Sequence, residues 1–279
     1  MVELDRPIKL IAIDLDGTLS TNLPQIPPQT RQALTATIAQ GVKIALATGR
    51  PYPMAAQIAR DLDLNAPVIV YQGAVVRDPW SEETLHAETM PLAVSRRLIK
   101  FARDKKLHLV LYMADGNYTE LPSNQMEQAV GREGVPLLIV HNLLAVLGDE
   151  TKPIKGVFVQ PRSKNEAVYQ LLKDQFSPEL TVLRSADILV EALWPTVSKG
   201  NGLRLLAERF GVSPDETMAI GDQDNDISML QAAGLGVAMG NGSEGAKAAA
   251  DVLAPSVEEA GVAWALQRYV LDGKHDPNT

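Results

Sequence analysis

Short apolar runs alternate with segments of helical period from the beginning of the chain. Lys9-Leu10-Ile11-Ala12-Ile13 is a partly β-branched run, as expected of a strand buried on both faces of a parallel sheet. It gives way to Asp14-Leu15-Asp16-Gly17-Thr18. Pro27-Pro28 introduces a helix with apolar positions at Ala33, Leu34, Thr37 and Ile38, and Gly41 stands where a C-terminal cap belongs. A second strand, Val42–Ala47, ends in Thr48-Gly49-Arg50. Pro51 and Pro53 suit the first turn of the next helix, where a missing N–H is tolerated. That helix extends to about Leu62, and Pro67–Tyr71 gives a third strand. The β-α-β-α-β order predicts an α/β fold with a doubly wound, mostly parallel sheet.

The rhythm changes in the middle of the chain. A helix at Ala93–Lys105 and a strand at His108–Met113 precede a Gly/Asn/Pro-rich turn region. A strand at Gly156–Gln160, a helix at Lys164–Gln175 and strands near Thr181–Arg184 and Asp187–Ala192 follow. Such runs predict an α+β insertion and not further crossover units. Alternation resumes at Ser198 with a helix to Phe210. A strand at Thr217–Ile220, a helix at Ile227–Ala233, a strand at Gly236–Met239 and a helix at Glu244–Ala250 complete it. The expected domains are therefore a Rossmann-like core, 1–83 with 194–279, and an inserted α+β domain, 84–193. No internal repeat is visible, and the tail after Asp272 reads as frayed.

Composition narrows the chemistry. The 279 residues carry 26 Lys+Arg against 34 Asp+Glu, a net charge of −8, with 46% hydrophobic residues. That is an ordinary globular composition, and its acidity argues against nucleic acid or anionic membranes as partners. The absence of cysteine removes disulfides, thiolate metal sites and thiol nucleophiles. His86, His108, His141 and His275 are scattered, which argues against a histidine zinc site. The N-terminus has no basic segment followed by an apolar one, and the longest apolar stretch, Leu137–Leu147, is interrupted by His141 and Asn142. The expectation is a cytoplasmic protein, monomeric or a small homo-oligomer.

The chemistry-bearing residues fall at strand ends. Asp14 and Asp16 follow the first strand, at the carboxyl edge where open α/β sheets bind ligands. Two carboxylates so spaced can share a divalent cation while one still faces a substrate. A calcium loop is excluded, because the twelfth position counted from Asp14 is Gln25 where glutamate is needed. Gly221-Asp222-x-x-Asn225-Asp226 ends a later strand. It too fails as a calcium loop, with Ile227 and Ala233 at the positions for glycine and glutamate. Asp222 is expected to meet Asp14 and Asp16 across the strand ends. Oxygen-only ligation by few protein groups suits Mg²⁺, which keeps several waters and takes a substrate phosphate. Lys199 opens a helix, where a cation opposes the helix dipole unless an anion binds nearby. Thr48-Gly49 offers a hydroxyl and backbone N–H groups at a strand-to-helix junction, and Arg50 reads equally as a substrate clamp or a surface residue. Gly240-x-Gly242-x-x-Gly245 imitates a dinucleotide fingerprint. It follows a late strand and lacks the downstream acidic residue, so it reads as a tight turn near the site.

Taken together, IAIDLDGTL (Ile11–Leu19), ALATGRP (Ala45–Pro51), VSKGNGL (Val197–Leu203), IGDQDNDISML (Ile220–Leu230) and GVAMGNG (Gly236–Gly242) resemble the haloacid dehalogenase superfamily. The likeness is to its Cof-type phosphatase branch, with a large type-two cap between the second and third motifs. The motifs stand in the family's order and the resemblance spans nearly the whole chain. Gln72-Gly73 stands where the family usually has Asn-Gly, and Gly242 where it usually has alanine. The resemblance implies a Mg²⁺-dependent phosphatase for small phosphorylated metabolites, sugar phosphates or related compounds. Asp14 would be the nucleophile and Asp16 the general acid and base. The metal would be held by Asp14, the Asp16 carbonyl and Asp222, with Asp226 in support. Thr48, Gly49, Lys199 and Asn225 would hold the phosphoryl group, and a cap over Thr84–Leu193 would exclude water and select the leaving group. A phosphomutase of the phosphomannomutase type and a non-catalytic phosphometabolite-binding module are the alternatives.

Overall fold

The computed structural model describes residues 6–22, 25–130 and 134–272. The extreme N-terminus and the tail after Asp272 lie outside the described residues. The chain begins β1 (Leu10–Ile13), α1 (Pro28–Ala39), β2 (Lys43–Leu46), α2 (Tyr52–Asp61), β3 (Val68–Val70), β4 (Val75–Arg77), β5 (Thr84–Ala87). The middle runs α3 (Leu92–Asp104), β6 (Leu109–Tyr112), β7 (Asn117–Thr119), α4 (Asn124–Val130), β8 (Leu137–Ile139), β9 (Lys155–Val159), α5 (Arg162–Phe176), β10 (Thr181–Ala186), β11 (Leu189–Leu193). It closes with α6 (Lys199–Phe210), β12 (Thr217–Gly221), α7 (Ile227–Ala232), β13 (Leu235–Ala238), α8 (Glu244–Ala249), β14 (Val252–Leu253) and α9 (Gly261–Leu266). Two compact units result. The first comprises the residues up to Thr48, Ala55–Leu85 and those from Ser198 onward; the second comprises Gly49–Met54 and His86–Val197.

In the first unit a parallel sheet has the order β14-β13-β12-β1-β2. Its strands show no polar alternation because both faces are covered: Leu10, Ala12, Ala45 and Ala219 pack on one face with Leu203, Leu206 and Met229 of the helices, and the alternate residues Ile11, Ile13 and Ile44 are equally buried. The expected third strand joins β2 through only a single parallel bridge, Ala47 with Ile69, and then folds back on β4 as a hairpin. That hairpin was not visible in the sequence, since three-residue strands carry too little period to register. Register matters most at β1 and β12, where Ile13 lies opposite Ile220. The N–H of Asp14 then donates to the Ile220 carbonyl at 2.9 Å, which sets the two acidic segments side by side.

The second unit is a six-stranded sheet, β10-β11-β9-β6-β7-β8, antiparallel except for the β7–β8 pair. Leu98 and Ile99 of α3 and Leu172 and Phe176 of α5 cover one face, against Leu109, Leu111, Phe158 and Val190. The region expected to be turns after Met113 contains β7, α4 and β8 instead. Asn117 and Thr119 are buried in β7, and polar residues at inward positions erase the hydrophobic signal a strand normally gives.

Candidate active site

The ends of β1 and β12 and the start of α6 converge in the first unit. Asp14 leaves β1, and the chain turns sharply through Gly17 at φ +88°. Gly17 also admits no side chain, because a Cβ there would meet the Asp222 carboxylate. Thr18 Oγ1 donates to Asp222 Oδ1 at 2.9 Å, and Gln223 Nε2 donates to Oδ2 at 2.8 Å. Beyond β12 the chain makes a tight turn, Asp224–Asp226. In it Asp226 Oδ2 accepts from the N–H groups of Asp222 and Gln223, each at 2.9 Å. Lys199 begins α6 behind Ser198, whose Oγ accepts from the Asn201 N–H. Its ammonium lies 2.6 Å from Asp14 Oδ1 and 2.5 Å from Asp226 Oδ1. The cation that was misplaced with respect to the helix dipole thus answers two carboxylates.

All of these groups are buried: Asp14 is 5% exposed, Asp222 2%, Lys199 1% and Asp226 0%. Burial pushes the Asp14 carboxyl well above the usual range, against the pull of Lys199 and with the added repulsion of Asp226 and Asp222. Burial also raises Asp222. Burial alone would lower Lys199, but the Asp14 and Asp226 carboxylates hold its ammonium above the ordinary lysine range. Oxygens of Asp14, Asp222 and Asp226 lie within 4.8 Å of one another. With all three carboxylates ionised, one ammonium leaves a formal charge of −2 in a buried site, which one divalent cation cancels. The donor set is oxygen only, as hard cations require. These residues fit a divalent metal.

The other expected residues fall as follows. Asp16 is exposed, and its carboxylate is not among the clustered three. Thr48 is buried at the end of β2; its N–H donates to Ile69 O at 2.8 Å and its carbonyl accepts from the Gln72 N–H at 3.0 Å. Gly49 and Arg50 are half-buried in the second unit, where Arg50 Nη1 lies 2.7 Å from Met54 Sδ. Asn225 Nδ2 donates to Gln72 Oε1 at 3.0 Å. The glycine-rich turn that imitated a dinucleotide site braces the acidic segments: Asn241 Nδ2 donates to Gly17 O at 2.8 Å, and the Ser243 N–H to Asp222 O at 2.7 Å. Sequence reasoning assigned no role to Thr18, Gln223 or Gln72. The first two adjoin the acidic motifs and could have been found by that adjacency. Gln72 is marked in the sequence only by standing where the resembled family usually has asparagine.

The chain matches the family model of the haloacid dehalogenase-like hydrolases over residues 11–266 and belongs to that family. Within it the chain falls in the Cof-type phosphatase branch, and it is a phosphoric monoester hydrolase. It is 33% identical to YxeH of Bacillus subtilis over 271 residues, covering 94% of this chain and 98% of that one. The structure of a subclass IIB sugar phosphatase superposes with a TM-score of 0.79 at 25% identity, covering 94% of this chain and 98% of the other. A chloroplastic endoribonuclease of Arabidopsis thaliana is 31% identical over 274 residues and 94% of this chain. The chain spans about half of that relative's length, 46%. Among the described residues no helix is long and apolar enough to cross a membrane.

Proposed function

We propose that the chain is a Mg²⁺-dependent phosphatase that cleaves phosphomonoesters of small metabolites, sugar phosphates foremost, through an aspartyl-phosphate on Asp14. The observation that carries this reading is the buried Asp14 carboxylate held by Lys199 inside a cluster two charges short of neutrality. A carboxylate attacks a phosphate dianion only where the accumulated negative charge is cancelled. Asp14, Asp222 and the Asp16 carbonyl would hold the Mg²⁺, which supplies that charge compensation. Asp226 supports them through its bond to the Asp222 N–H.

The chain's own groups divide the work. The Asp14 carboxylate oxygen bonds to phosphorus as the P–O bond to the leaving alcohol breaks, and Asp16 gives that alkoxide its proton. Asp16, now a carboxylate, takes a proton from the water that attacks phosphorus. The bond between Asp14 and phosphorus then breaks, releasing inorganic phosphate. Lys199, with a third N–H beyond its two carboxylate partners, holds a phosphoryl oxygen together with Thr48, Gly49 and Asn225. Arg50 serves as a further clamp.

The deciding experiment is phosphate release from a panel of phosphorylated metabolites with Mg²⁺, using Asp14→Asn as the blank. Release that the substitution abolishes supports the reading. Release that survives it removes Asp14 as nucleophile, and phosphoryl transfer between sugar positions without release would make the chain a mutase.

A further inference from the structure

Gln72 is a buried polar residue on a strained backbone, and the chemistry above gives it no task. Tyr71, Gln72 and Gly73 have φ of 52°, 64° and 102°, three successive left-handed residues of which two carry side chains. Non-glycine residues stay in that region only where their surroundings impose it, and such positions gather at functional sites. Here the surroundings do impose it. The Gln72 N–H donates to the Thr48 carbonyl at 3.0 Å, and a side chain at Gly73 would collide with the carbonyl of Ser198, next to Lys199.

The turn therefore delivers the Gln72 carboxamide, 3% exposed, to a fixed place. Its backbone is bonded to Thr48 and its Oε1 accepts from Asn225 Nδ2 at 3.0 Å. Those are two of the residues assigned above to the phosphoryl oxygens. With Oε1 taken, the orientation of the amide is set, and Nε2 has no acceptor among the described residues. The residue is buried, but this amide nitrogen is not among the fully enclosed unsatisfied atoms, so it meets solvent and is open to an anionic oxygen.

We propose that Gln72 is a further substrate-binding residue, donating from Nε2 to a phosphoryl oxygen while its Oε1 turns the Asn225 amide to the same group. This rests on the phosphatase reading of the site. Its ligand is the tetrahedral phosphate part of the substrate, whatever the alcohol.

The test is a double-mutant cycle with Gln72→Met, Asn225→Ala and the double variant. It is read as kcat/KM on the best phosphomonoester and as calorimetric binding of inorganic phosphate with Mg²⁺. Loss of one hydrogen bond to a charged oxygen corresponds to a factor of about ten or more. Gln72→Met is expected to lose that factor in both readouts, and the double variant to lose about tenfold beyond Asn225→Ala. A double variant no worse than Asn225→Ala alone makes Gln72 a brace for Asn225 and overturns the proposal. Gln72→Gly, which takes the left-handed backbone freely, guards against a folding failure and should lose the same factor with its melting temperature retained. If the wild type hydrolyses no ester, the phosphatase reading falls, and phosphate calorimetry still decides the question. Weaker phosphate binding to Gln72→Gly than to the wild type then supports the role of Gln72. Equal binding, or none to either protein, overturns it.

Discussion

The ammonium of Lys199 stands 2.6 Å from Oδ1 of Asp14, across 185 positions of sequence, with both groups buried. Lys199→Met keeps the volume and removes the charge, leaving the Asp14, Asp222 and Asp226 carboxylates together. Breaking a buried pair from one side costs about 3–5 kcal/mol. The loss should depend on pH in a definite direction. Asp14 and Asp222, raised by burial above their unfolded value of about 3.9, bind protons more tightly in the folded state, so stability falls as pH rises beyond that value. Urea denaturation of the metal-free variant should therefore show a larger deficit at pH 8 than at pH 5. An equal deficit at both would mean that the carboxylates do not carry it.

Asp14→Asn separates catalysis from folding. Turnover should drop by about a thousandfold or more, as for loss of a nucleophile. Because burial already disfavours the charged form of Asp14, the neutral amide should keep stability within about 1 kcal/mol of the wild type without metal. Circular dichroism melts check this, and a collapse of the fold would show that the Lys199 pair outweighs the burial penalty.

Mg²⁺ must compete with protons for the same carboxylates. Asp14 and Asp222 are both raised by burial, so metal binding should release protons, and its affinity should strengthen with rising pH, by up to about tenfold per unit for each proton displaced. Titration calorimetry in two buffers of different ionisation enthalpy measures the release. EDTA should silence the enzyme and lower its melting temperature. A pH-independent affinity would place the metal elsewhere.

Gly17→Ala tests the close approach at the acidic cluster. The position has φ +88°, and the added methyl would meet the Asp222 carboxylate. Displacing that carboxylate should weaken Mg²⁺ about ten- to hundredfold, as loss of a group beside a metal does. Unchanged Mg²⁺ affinity would show that Asp222 tolerates the shift.

A second buried pair lies in the second unit, where Lys155 Nζ is 2.7 Å from Glu191 and 4.8 Å from the centre of the Tyr112 ring. Lys155→Met should cost about 3–5 kcal/mol, and adding Glu191→Leu should recover much of it, because two apolar groups need no mutual compensation. A double variant as unstable as the single one would point to a further role for Glu191.

Much of this protein is legible along the chain. Runs such as Leu10–Ile13 and Thr217–Gly221 are buried on both faces, so their apolar composition alone marks strands of a parallel sheet. The acidic motifs stand directly after them, and strand ends are where such a sheet places its chemistry. The shorter β3–β4 hairpin and the β7–α4–β8 segment escaped because each is too brief, or too polar on its inward side, for a period to show.

What the sequence determined by itself is local and periodic: the α/β order, the family, and the residue types at the strand ends. What only the tertiary structure decided are relations between distant segments. The register of β1 against β12 sets Asp14 beside the Asp222 segment, and the placing of α6 makes Lys199 a buried counter-charge to Asp14 and Asp226. The bond from Asn225 to Gln72 spans 153 positions. No pattern along the chain encodes such a pairing, because it arises when strands pack in register and burial leaves each polar group only its nearest neighbours as partners.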